Sequence, residues 1–226
     1  MNRRSVYLLI SLFLLPLCLP AQEGMRLGFR SGYSLSTQYG ILEADIPYTV
    51  KVFPRHGGAA GLLLYYPITE TFGIQQEFLW VQKGSREDID MIDRPIFTRT
   101  EYDLNYLDIP VLMRYRMFRL GSTEIFGSSG FALSILLSGN YRLEGTVEIN
   151  GEAAAFENKD ALDSIDLFDY AFLYGAGMER MLFGHRTFLE YRFSIGWNIL
   201  AMPTAEGEDP APLRNQNYLF TLGLYL

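Results

Sequence analysis

The chain has 226 residues, a formal charge of -7, two histidines and a single cysteine, Cys18, that falls in its first apolar run. An acidic balance excludes a protein that tracks nucleic-acid phosphates, and a mature chain without thiols excludes both a disulfide framework and a thiolate metal site. Aromatics at 15% with 21 Gly suit a barrel with interfacial aromatic girdles and close strand contacts better than a helical enzyme.

Arg3 and Arg4 precede the apolar run Val6 to Leu19, and a cleavage site near Ala21 leaves Gln22 first. Residues 1–21 therefore read as a secretory signal peptide and residues 22–226 as one domain. Leu-Pro-Leu ahead of Cys18 lacks the small residues of a lipoprotein signal. The run is shorter than the roughly 20 residues a spanning helix needs, and no later run matches it. Any membrane crossing by the mature chain must use strands.

The spacing predicts eight strands: Met25–Ser36, Gly57–Tyr66, Thr71–Lys83, Asp103–Arg116, Ser122–Ser134, Phe168–Glu179, Thr187–Trp197 and Gln216–Leu226. Most reach the roughly 9 to 11 residues that cross a bilayer at a tilt. Successive strand side chains point to opposite faces. In the fourth strand this sets Leu107, Ile109, Val111, Met113 and Tyr115 against Asp108, Pro110, Leu112, Arg114 and Arg116. The seventh sets Leu189, Tyr191, Phe193, Ile195 and Trp197 against Glu190, Arg192, Ser194 and Gly196, and the first and last alternate likewise. The second and fifth are weaker, since Leu62 to Tyr66 is apolar throughout and Ser128-Ser129-Gly130 interrupts the pattern.

Links after the second, fourth and sixth strands are short, at Pro67–Glu70, Met117–Gly121 and Arg180–Arg186. Links after the first, third, fifth and seventh are long, at Thr37–His56, Gly84–Tyr102, Ile135–Leu167 and Asn198–Asn215. That alternation predicts an all-β, eight-stranded antiparallel up-and-down transmembrane barrel in the outer membrane, with its long loops extracellular and its termini periplasmic. The competing fold is a secreted lipocalin-like barrel, in which the apolar set points inward.

Several stretches carry a family resemblance: Leu27-Gly-Phe-Arg-Ser-Gly-Tyr-Ser34, Gln76-Glu-Phe-Leu-Trp-Val-Gln-Lys-Gly84, Tyr106-Leu-Asp-Ile-Pro-Val-Leu112, Gly175-Ala-Gly177, Leu189-Glu-Tyr-Arg-Phe193 and Phe220-Thr-Leu-Gly-Leu-Tyr-Leu226. In these the chain resembles the outer-membrane β-barrel families of the Bacteroidetes, labelled PorT-like or outer membrane protein beta-barrel domain. The resemblance covers nearly the whole mature chain and implies a membrane barrel. Resemblance to PorT itself implies a part in protein export to the cell surface. One departure is the last residue, Leu226, where barrel insertion signals favour an aromatic.

An eight-stranded barrel fills its lumen with side chains. The inward set here includes Arg26, Arg30, Gln75, Glu77, Asp108, Arg114, Arg116, Glu124, Glu179, Glu190 and Arg192, close to balanced in sign. A plug of ion pairs is the structural reading, because buried charges persist when paired. A narrow proton or ion path, or a ligand pocket near one mouth, is the functional one. Gly175-Ala-Gly177 and Gly28 with Gly32 lack a strand-turn-helix context, so they read as strand glycines that permit close packing, a bend or room for a bulky neighbour across the lumen.

Catalysis has little to stand on. His56 sits near the expected outer rim without a recognisable Ser-Asn motif, and His185 falls in a short turn on the opposite side from the outer leaflet, which disfavours a lipid A-modifying enzyme. Arg86 to Arg94 reads as a loop alternating acid with apolar residues, Glu144 to Asn150 as a hairpin arm turning near Asn150-Gly151, and Ala161 to Phe168 as loop or short helix. Glu157, Asp160, Asp163, Asp166 and Asp169 form an acidic segment, read as a solvated loop or as a calcium bridge to lipopolysaccharide phosphates, although no EF-hand spacing is present. The expected role is therefore non-enzymatic, a structural, interaction or secretion-accessory protein of the envelope, with a small-molecule or lipid-binding barrel as the alternative. Its expected partners are outer-membrane lipid, lipopolysaccharide and other envelope or secretion proteins, with no nucleic acid and no cofactor.

Overall fold

In the computed structural model, residues 24–39, 48–91, 97–149, 152–161, 167–197 and 214–226 are described. The signal peptide, Asp163, Asp166 and the middle of the Ala161 to Phe168 stretch lie outside the described residues. Period-two sequence yields strands throughout: β1 (Arg26–Tyr39), β2 (Tyr48–Pro67), β3 (Phe72–Met91), β4 (Phe97–Leu120), β5 (Thr123–Ile149), β6 (Glu152–Ala161), β7 (Phe168–Leu182), β8 (His185–Gly196) and β9 (Arg214–Tyr225). No described helix is long and apolar enough to cross a membrane.

The hydrogen-bonded order runs β4-β3-β2-β1-β9-β8-β7-β5, and β4 pairs with β5 to close the ring. All of these pairings are antiparallel. Eight strands thus form a closed up-and-down barrel, and closure removes the unpaired backbone edges that hydrocarbon forbids. The ninth strand, β6, pairs with the far end of β5 and stands outside the ring.

The turns at one end are tight. In the β7–β8 turn, Leu182 opposes His185 across Phe183 and Gly184, whose φ values are 52° and 82°. Two positive φ angles match the strand twist, and the glycine accepts its angle without a Cβ penalty.

The links at the other end differ from the sequence expectation. Residues expected to be loop between Gly84 and Tyr102 pair as β3 with β4 from Ser85↔Tyr102 to Asp90↔Phe97. Residues 48–54 pair with 85–91, and 139–146 pair with 97–104. The hairpin arm near Glu144 continues β5 and returns as β6, with Ile149 opposite Glu152. Five strand segments therefore rise past the ring as a wall on one side, while β7 begins at Phe168, β8 ends at Gly196 and β9 begins at Arg214. Charged pairs join the buried Tyr102 and Leu104 of β4 in holding this wall. On its outer face Asp88 accepts from Arg99 Nε at 2.9 Å and Nη2 at 3.2 Å, and Arg86 lies over the Phe53 ring at 4.3 Å.

Faces of the ring are unambiguous. Leu27, Phe29, Leu62, Met113, Tyr115, Phe131, Tyr174, Leu189, Phe220 and Leu222 are exposed on the outside, while Arg30, Glu77, Glu190 and Arg192 are sealed within. The lipocalin-like alternative, which needs the opposite arrangement, is thereby excluded. Inside, glycines face large residues across neighbouring strands: Gly28 opposite Tyr225, Gly177 opposite Phe126, and Gly223 opposite Phe188. A Cβ on Gly223 would lie 2.2 Å from the Phe188 ring, so only glycine lets that ring lie flat against β9. The bulky neighbour is a cross-strand partner, not a residue across the lumen.

Candidate functional site

Along the barrel axis the lumen is layered. Leu63, Phe126, Phe188 and Tyr225 form an apolar layer toward the short-turn end, and Ala59, Leu79, Val81 and Leu219 form one toward the wall. Between them lies a charged waist. Arg30 of β1 donates to Glu77 of β3 at 2.7 Å and pairs with Glu190 of β8 at 2.9 Å. Arg192 donates to both oxygens of Glu77, at 2.7 and 2.8 Å, and to Glu190 at 3.0 and 3.1 Å. Ser128 donates to Glu190 at 2.6 Å, and Gln75 and Thr221 complete the set by bonding to Glu77 and Arg30. Two guanidiniums thus meet two carboxylates, each side chain at most 1% exposed. Buried charges are tolerated when each has an opposite partner and its remaining valences are hydrogen-bonded.

Toward the wall, Lys83 donates to Asp108 at 2.9 Å and Ser134 at 3.2 Å, and its ammonium lies 4.8 Å above the Tyr106 ring. Asp169 is buried on β7, where Asn215 donates to it at 3.0 Å. It is a lumen residue, not part of a solvated loop, because its odd position on β7 shares the inward face with Ala171, Leu173 and Glu179. Glu157 and Asp160 lie on β6.

At the short-turn mouth Arg114 lies 3.5 Å over the Phe126 ring and pairs with Glu179. Arg26 reaches the same carboxylate at 3.6 Å and Arg186 at 2.6 Å. Glu124 gathers Arg116 at 3.3 Å, Arg186 at 3.6 Å and Arg119. The eleven sequence-proposed lumen residues therefore fall into three groups: Arg30, Gln75, Glu77, Glu190 and Arg192 at the waist, Arg26, Arg114, Arg116, Glu124 and Glu179 at the short-turn mouth, and Asp108 toward the wall. Gln75 also joins two groups, since Arg114 donates to it at 3.3 Å.

Lys83, Arg186, Ser128 and Thr221 join the lumen network beyond the eleven sequence-proposed residues, although Thr221 already has the inward parity of Leu219 and Tyr225. The first two carry the signal that finds the others, since Lys83 has the parity of Gln75 and Glu77, and Arg186 that of Glu190 and Arg192. Ser128 and Thr221 are small polar residues whose roles depend on which strand faces them.

The two histidines stand apart from these groups. His56 lies on β2 with its Nδ1 hydrogen-bonded to the Tyr33 hydroxyl, and Tyr33 belongs to the outer face of the barrel. His185 opens β8 beside the tight turn and is exposed. Among the described residues no group of three or more His, Cys, Asp or Glu is placed to hold a metal ion.

The chain matches the family described as outer membrane protein beta-barrel domain over residues 20–200. Among solved structures it is similar to the outer membrane protein OprG from Pseudomonas aeruginosa, at 12% identity over 89% of this chain and 95% of that one, with a TM-score of 0.47. It is similar to Ail, the attachment invasion locus protein of Yersinia pestis, at 10% identity over 91% of this chain and 100% of that one, with a TM-score of 0.41. Neisserial surface protein A is similar at 9% identity over 90% of this chain and 100% of that one, with a TM-score of 0.43. No curated protein sequence matches the chain significantly.

Proposed function

The chain belongs to the outer membrane protein beta-barrel domain family, and from that premise we propose that it is a non-enzymatic interaction protein of the envelope, not a pore. The observation that carries this reading is the wall. Strand β5 alone has 27 residues, about 90 Å of extended chain, where roughly 9 to 11 residues suffice to cross the bilayer. The excess does not serve the ring, whose β5–β7 seam ends at Ile135↔Phe168. Paired strands that outrun the membrane present a rigid polar surface to another molecule. The sealed waist supports the same reading, because ions find no aqueous path through a lumen filled by side chains.

In this reading the short turns and both termini face the periplasm and the wall stands outside the cell, the arrangement usual for bacterial barrels. Lipid and lipopolysaccharide surround the ring, and an envelope or secretion protein docks on the wall. The finer role is accessory to protein export or surface assembly, in keeping with the PorT-like residues of the strands.

The test is deletion of residues 140–161, which removes the outer arm of β5 with β6 and leaves the β5–β7 seam whole. The deleted protein should still show the heat-dependent gel shift of a folded barrel and should lose a stoichiometric envelope partner that co-purifies with the intact chain in mild detergent. A partner retained by the deletion protein, or stepwise conductance of the intact protein in planar bilayers, would contradict the proposal.

A further inference from the structure

At the short-turn mouth the charges do not balance. Five guanidiniums, of Arg26, Arg114, Arg116, Arg119 and Arg186, converge on two carboxylates, Glu124 and Glu179. Guanidiniums have donors only and cannot give up their charge. Once each carboxylate has taken three of them, with Arg186 shared, donors remain that neither can satisfy. The waist of the same barrel, with two guanidiniums to two carboxylates, is balanced in charge.

The surplus has a place to act. Arg26, Arg114, Arg116 and Arg186 line a cavity of about 140 Å³ with Glu124 and Glu179. Glu70 also lines it from the turn but forms none of the ion pairs found around the two central carboxylates. Arg26, Arg116 and Arg186 keep about a third of their side-chain surface open to solvent, at 31%, 32% and 31%, while Arg114 is held against Phe126 at 7%. The result is a buried floor with three reachable guanidiniums above it.

We propose that this mouth is a binding site for a small phosphate-class oxyanion taken from the aqueous phase. Planar guanidiniums match phosphate oxygens through paired N–H donors, and a partly desolvated pocket strengthens each such bond. The cavity lies inside the ring, so the barrel wall separates it from lipid headgroups. The site is independent of the role assigned to the extracellular wall.

The test is calorimetric titration of inorganic phosphate into the full mature barrel in zwitterionic detergent, at constant chloride. Saturable binding is expected, at least tenfold weaker in Arg116→Gln and in Arg186→Gln. Either variant leaves each carboxylate at least two guanidiniums, and folding is checked by the gel shift. Glu70→Gln, on an exposed turn, should tighten binding and gives a readout that does not depend on removing an ion pair. Arg99→Gln, on the distant wall, should change nothing. Non-saturable uptake, equal displacement by chloride, or an affinity indifferent to Arg116, Arg186 and Glu70 would overturn the site. Loss of phosphate binding in micelles doped with phosphatidylglycerol would overturn the aqueous source in favour of a lipid headgroup.

Discussion

Arg192 on β8 donates two parallel hydrogen bonds to Glu77 on β3, Nη1 to Oε2 at 2.7 Å and Nη2 to Oε1 at 2.8 Å, joining strands with three others between them in the ring. The pair is a strut across the lumen. Glu77→Ala leaves Arg192 and Arg30 to share Glu190 in a sealed layer with one positive charge uncompensated, and buried charge of this kind costs about 3–5 kcal/mol. Urea unfolding followed by the gel shift should register that loss. Replacing Glu77 and Arg192 together by leucine should cost less than Glu77→Ala alone, since no charge of that pair is left behind. A double variant as unstable as the sum of its singles would show that the strut is not a coupled unit.

A second prediction concerns shape. Phe188 lies against Gly223, and an added Cβ there meets the ring at 2.2 Å and the Phe29 carbonyl oxygen at 2.8 Å. Gly223→Ala should therefore destabilise the barrel by about 1–3 kcal/mol, the usual cost of overpacking a filled interior. Phe188→Leu in the same chain should recover part of that loss. If Gly223→Ala unfolds at the urea concentration of the unaltered protein, the ring does not rest where the structure has it.

The ring is legible in the sequence because lipid imposes one rule on every strand. Leu222 and Thr221 must face opposite ways, and a two-residue period says so without any neighbour. Parity likewise marks Arg30, Glu77, Glu190 and Arg192 as inward. It does not say that Glu77 meets Arg192, because β3 and β8 touch only through the lumen and their relative height depends on strand tilt and stagger. The wall is illegible for a related reason. Arg86-Glu-Asp-Ile-Asp-Met91 has water available to it and no lipid to enforce an apolar face, so its charges resemble a loop. What makes it a strand is backbone pairing on both sides, with 48–54 of β2 and 97–102 of β4, and the Asp88–Arg99 contact across residues 11 apart becomes visible only when the hairpin is closed.

A third prediction tests the faces. Leu222 is 54% exposed at the height of the charged waist, beside Thr221, which Arg30 contacts from within. Leu222→Arg places a charge against lipid near the bilayer middle, at a cost of about 2–4 kcal/mol for a lipid-facing strand. Asn217→Arg, toward the wall and inside, should be tolerated better in membranes although its site is buried. Folding yields into lipid vesicles separate the two. Equal yields would contradict the assignment of the exposed set to lipid.

The last prediction concerns acid and the wall. The Arg99 guanidinium, through its hydrogen bonds, holds the Asp88 carboxyl below the ordinary carboxylate range. Stability from that pair is present above the unfolded value, about 3.9 for aspartate, and is lost as pH falls through the lower folded value. Burial pushes the neighbouring Glu87 carboxyl the other way, above its ordinary value. Its sign is opposite: Glu87 favours the folded wall when protonated, and that contribution is lost as pH rises through its raised folded value. The β3–β4 hairpin should therefore resist proteolysis best in mild acid, above the Asp88 transition and below that of Glu87. Glu87→Gln should abolish the loss on the alkaline side and protect the hairpin at pH 8. Asp88→Asn should instead remove the weakening in strong acid and lower protection at neutral pH. Limited proteolysis of the three proteins in detergent across pH 3–8 measures both limbs, and a wild-type profile without a maximum would show that these two carboxylates do not control the hairpin.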